Sequence, residues 1–195
     1  MTHSFLLAPL LLEGGVLMLA AAALLLAVLA VWLGKHTLIA SSAASLALAI
    51  GFACLPNPTP GPGYAIVLGA ITLALAVVGG APAATWILSL ATKGSVTAGL
   101  HGGIVVDDDS RTGVTTAPHE VLRGGLMIGL LERAAIAGTI LAGFPEGIAV
   151  VVAVKGVGRF TELAAAEARE RFIIGTLASI GWACASAILV RLMTA

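Results

Sequence analysis

The residues best suited to chemistry are five charges set into an otherwise apolar C-terminal region: Glu132, Arg133, Lys155, Arg159 and Glu162. A charge facing lipid costs about 2.5–3.5 kcal/mol on insertion scales, so charges inside a span pair, face a cavity or mark a site. Lys155, Arg159 and Glu162 recur at i, i+4 and i+7, which puts them on one helical face. Phe144-Pro145-Glu146-Gly147 reads as a turn, with Glu132 before it and Lys155 after it in sequence. At about 1.5 Å per residue both lie roughly 15–20 Å from that turn, and Arg159 returns to nearly the same level. Glu132 is therefore expected to pair with Lys155 or Arg159 in a helical hairpin. A cluster of this kind could hold an ion, a proton or a lipid head group. The expectation here is structural: at that distance from the turn the charges sit nearer the far interface than the midplane, where they snorkel to water and lock the hairpin by a salt bridge.

A second charged group, Asp107-Asp108-Asp109 beside Arg111 and Thr112, reads as a solvated turn, because no calcium-loop spacing surrounds it. His3, His36, His101 and His119 are scattered without i, i+4 spacing, so no metal site is expected. Cys54 and Cys184 lie in apolar segments, where thiols behave as small hydrophobes rather than disulfide partners. No catalytic residue and no cofactor is assigned.

The elements that carry these residues are membrane spans. Residues 36–92 contain no Asp, Glu, Lys or Arg, and the stretch from Gly14 to Gly34 is equally bare. A spanning helix needs about 20 consecutive apolar residues, and these two stretches supply several spans. With 10% of residues charged and 59% hydrophobic, a water-soluble core is excluded. A formal net charge of zero gives no footprint for nucleic acid.

The fold class that follows is all-α, a polytopic integral membrane bundle of about six transmembrane helices, or five. The first has its core at Gly15 to Leu33. Ser4 to Leu12 either continue it past Glu13 or lie along the surface, and the lack of a Lys/Arg-rich start argues against a cleaved secretory signal. The second, Thr37 to Leu55, carries Ser41, Ser42, Ser45 and Gly51, small residues that allow close approach or a hydrogen bond to a neighbour. Residues 57–63 hold three prolines and two glycines and must form a loop. The third span runs from Tyr64 to Gly80. Beyond Pro82, Ala83 to Thr92 is expected as a separate short interfacial segment around Trp86.

The C-terminal half then supplies a span from Arg123 to Gly143, a return through Ile148, and a last span from Phe172 to Leu189. Glu167-Ala168-Arg169-Glu170-Arg171 precedes that span as an expected interfacial helix on the cytoplasmic surface. Residues 1–195 form one transmembrane domain, with a cytoplasmic polar loop at 93–123 and a charged helical hairpin at 124–165. Six spans let Lys35, Lys93, Arg111, Arg123, Arg133, Lys155, Arg159, Arg169 and Arg171 share the cytoplasmic side, leaving the Pro-rich loop, the Phe144 turn and Arg191 outside with both termini. Gly125 with Gly129, and Gly143 with Gly147, have small-xxx-small spacing for helix contact.

Gly125-Leu126-Met127-Ile128-Gly129-Leu130-Leu131-Glu132-Arg133, then Lys155 with Arg159-Phe160, then Arg171-Phe172-Ile173-Ile174-Gly175-Thr176-Leu177-Ala178-Ser179 resembles the C-terminal half of small bacterial integral membrane proteins grouped as domains of unknown function. The N-terminal half resembles the actinobacterial version, with His101-Gly102-Gly103-Ile104 before an acidic loop and Glu120 to Gly125 after it. The resemblance implies a multi-pass protein of the bacterial plasma membrane and assigns no role to Glu132, Lys155 or Arg159.

Three function classes follow. A non-catalytic membrane component, homo-oligomeric or accessory to a membrane protein partner in the lipid bilayer, fits a chain with one polar loop and no catalytic constellation. A small transporter or channel would use Glu132, Lys155 and Arg159 as a gate and Gly143 to Gly147 as a break between half-helices, although no internal repeat supports it. A lipid head-group enzyme would have to rely on Asp107 to Asp109.

Overall fold

The computed structural model describes residues 2–56, 58–91, 125–158 and 166–195. Among them every regular element is a helix: α1 (Thr2–Leu33), α2 (His36–Ala53), α3 (Pro62–Ala91), α4 (Gly125–Leu141), α5 (Gly147–Gly158) and α6 (Ala166–Thr194). Four stretches are long and apolar enough to cross a membrane: Pro9–Leu33, His36–Ala53, Pro62–Ala91 and Arg169–Thr194. The other two helices are shorter. α4 extends for about 26 Å and α5 for about 18 Å, against a hydrocarbon core of about 30 Å.

Successive helices alternate in direction. Ser42 of α2 lies against Ala23 of α1 and Ser45 against Leu19, so these two are antiparallel. The phenol of Tyr64, at the start of α3, donates to the carbonyl of Glu13 across 3.0 Å, fixing that end of α3 beside the first turns of the apolar part of α1. α3 and α6 are antiparallel as well, since Leu75 meets Trp182 while Leu88 approaches Gly175. α4 runs from Arg133 beside Ser179 toward Gly143 beside Arg191, and is thus parallel to α6.

Two turns follow from glycine at the helix ends. Gly34 adopts φ +62° and its N–H bonds to Ala30 O, closing α1 with a single left-handed cap. Gly143 adopts φ +75°; its N–H bonds to Ile140 O, and that of Phe144 to Thr139 O, which is a Schellman closure followed at once by Pro145. The turn expected at Phe144 to Gly147 is present.

The α1–α2 half closes on small residues. Val16, Ala20, Ala23, Ala27 and Ala30 recur at alternating spacings of four and three and are all buried. So little side chain lets the axes come close enough for the Ser42 hydroxyl to donate to Ala23 O at 2.6 Å and that of Ser45 to Leu19 O at 2.9 Å. The core extends from this seam through Leu68 and Leu75 of α3 to Trp182 and Leu189 of α6. A smaller core joins α3, α4 and α6 through Ala76, Ile136, Ala137, Ala183 and Ala187.

Two boundaries differ from expectation. Ala83 to Ala91 do not form a separate interfacial segment, because α3 continues through Pro82 to Ala91 and Trp86 packs onto the main core. A membrane helix tolerates an internal proline where neighbouring helices pack along it, as α6 does here with Gly175 against Leu88. Arg169 to Arg171 likewise belong to the first turns of α6 rather than to a separate surface helix. The polar loop at 93–123 lies outside the described residues.

Candidate functional site

The α4–α5 hairpin brings Glu132 and Lys155 together. Their carboxylate and ammonium form an ion pair, with side chains 16% and 19% exposed. The Lys155 ammonium also lies 5.8 Å from the centre of the Phe172 ring, at the outer limit of a cation–π contact. The pairing expected from the count on either side of Pro145 is therefore found. Arg159 and Glu162, the other two members of the expected cluster, lie outside the described residues.

Arg133 departs from expectation. It does not snorkel toward an interface but is buried, 5% exposed, between α3, α4 and α6. Its Nε donates to the carbonyl of Val77 at 2.9 Å and its Nη1 to Ser179 Oγ at 3.4 Å. Val77 stands halfway along α3, roughly 20 Å from either end, and Ser179 lies near the middle of the apolar stretch of α6. The guanidinium is thus level with the centre of the two longest inner helices, where a bare charge is most costly.

The fold makes room for it with Gly80. A Cβ on Gly80 would fall onto Arg133 Cδ, and one on Gly79 would come within 2.5 Å of the Trp182 indole. The two adjacent glycines therefore form two slots in α3, one receiving the arginine and the other the tryptophan, whose Nε1 donates to Leu75 O at 3.0 Å. Gly129, one turn before Arg133 on α4, keeps its own face clear for the same guanidinium, because a Cβ there would stand only 3.2 Å from Nη1. Gly147 does comparable work at the hairpin base, where a Cβ would meet Thr139 and Phe144.

Between α4, α5 and α6 these charges open onto a recess lined by Glu132, Arg133, Lys155, Thr176 and Ser179 together with apolar side chains. It has room for about one water molecule. Sequence reasoning does not single out Thr176 and Ser179 as site residues, nor Gly79 and Gly80. The signal for the glycines is local: a Gly-Gly pair inside an uncharged run, just ahead of a proline. The signal for the hydroxyls is an i, i+3 pair on the helix that must face Arg133. Searches against protein families, curated proteins and solved structures find no match to the chain.

Proposed function

We propose that this chain is a non-catalytic, multi-pass component of a bacterial plasma membrane, working as a homo-oligomer or as a subunit of a larger membrane assembly. In it the charge cluster is a clamp that fastens the α4–α5 hairpin to α3 and α6. The observation that carries this is the use made of Arg133: its guanidinium bonds to a backbone carbonyl of α3 and a hydroxyl of α6. Glu132 is engaged by Lys155 in the same way, and the recess beside them is too small for an organic substrate. Six traverses, with α4 and α5 crossing despite their length, fit the alternation of helix directions, since short apolar helices are accommodated by local thinning of the bilayer. Lys35, Arg169 and Arg171 would then mark the cytoplasmic side.

A small ion transporter is the second reading, favoured by the partial exposure of the Glu132–Lys155 pair at the recess. Native mass spectrometry of the tagged protein, taken from its own membrane in lipid discs, separates the two. Reproducible recovery with a second membrane protein, or as a defined oligomer inactive in liposome flux assays, supports the component. A bare monomer that moves ions, and loses that flux but not its stability in Glu132→Gln, contradicts it.

A further inference from the structure

We infer that the recess between α4, α5 and α6 binds one small monovalent anion of halide size, held chiefly by Arg133. The inference rests on the clamp reading and adds a ligand to it. Its basis is an excess of hydrogen-bond donors. Arg133 commits Nε to Val77 and Nη1 to Ser179, while Nη2 meets no acceptor among the described residues. This side chain is 95% buried and lines the recess.

The hydroxyls beside it behave unlike most others on these helices. Ser41, Thr85, Thr139, Ser186 and Thr194 each donate back to a carbonyl of their own helix, the usual way to satisfy a hydroxyl in an apolar setting. Thr176 and Ser179 make no such bond among the described residues, and both line the recess. Ser179 accepts from Arg133 and so retains its own O–H to donate.

The recess therefore gathers an amino group of Arg133 and two hydroxyl donors, next to the Lys155 ammonium. Among the described residues it sets against two cations one carboxylate, Glu132, already engaged by Lys155. A water molecule accepts at most two of these donors and leaves the positive excess, which is costly at this depth. A halide accepts from all of them and removes the excess. The space, about that of one water, excludes polyatomic anions such as phosphate and carboxylate.

The test is thermal unfolding of the purified protein in lipid discs at constant ionic strength, exchanging sodium gluconate for sodium fluoride, chloride or bromide, with chloride-35 NMR line widths as a direct readout of binding. Halide should raise Tm in a saturable way and broaden the chloride signal. Thr176→Val and Ser179→Ala should each raise the halide concentration needed for half the effect by about tenfold, because a hydrogen bond to a charged partner is lost. Equal Tm in all four salts, with chloride line widths the same in wild type and Ser179→Ala, would overturn the anion and leave a water in its place. The clamp fails separately, if Arg133→Ala melts like the wild type in every salt.

Discussion

The α1–α2 seam and the junction around Arg133 do the same job by opposite means. Both bring helices close in an apolar medium, where lipid tails offer no hydrophobic advantage to association. The seam uses alanines with two serine hydroxyls, each making one neutral bond to the facing backbone. The junction uses a full positive charge, slotted over Gly80 and bonded to the backbone of α3. Neutral bonds of the first type are individually small, about 0.6 kcal/mol on average in membrane helices, so the seam is distributed and tolerant. A buried charge cannot be weakened gradually: with its partners it is stable, and without them it must leave the hydrocarbon or go unsatisfied.

Five variants separate the two designs. Arg133→Ala should be the most damaging, costing about 4 kcal/mol from the lost charge-assisted bond and the void left over Gly80, read as unfolding free energy in lipid discs. Gly80→Ala should cost about 2 kcal/mol, because the added methyl falls onto Cδ of Arg133 and the side chain must leave the place from which it bonds to Val77. Glu132→Gln should cost about 1–2 kcal/mol, between the values of exposed and fully buried pairs. The exchange Glu132→Lys with Lys155→Glu should recover more than half of that, as a stability measurement on all three variants would reveal. Ser42→Ala in the seam should lie at the bottom, at about 0.6 kcal/mol, and a loss above that of Gly80→Ala would reverse the contrast.

Much of the architecture is legible in the sequence because it depends on local composition. Uncharged runs of residues and a Pro/Gly-rich loop locate α1 to α3, and the Gly143-Phe144-Pro145 turn is a local signal that ends α4. Counting residues from that turn is enough to match Glu132 with Lys155, since a hairpin fixes the register of its own arms. Arg133 is visible as a charge in the wrong medium, but its destination is not. Nothing local says that Gly80, far away in sequence, leaves the space for it, or that Val77 supplies the carbonyl. Pro82 misleads for a related reason: whether a helix continues through a proline depends on tertiary packing along it, here Ala83 and Trp86 in the main core and Leu88 against Gly175 of α6. Span number is the remaining example, since α4 and α5 are apolar yet short and their depth depends on what they pack against.

A double-mutant cycle on Gly80 and Arg133 tests the clamp most directly, with unfolding free energies measured for the wild type, Gly80→Ala, Arg133→Ala and the pair. If Gly80 exists to receive Arg133, the methyl that costs about 2 kcal/mol in the wild type should cost almost nothing once the arginine side chain is gone, giving strong coupling between the two sites. Additive losses, with Gly80→Ala equally damaging in both backgrounds, would contradict a clamp built on that slot.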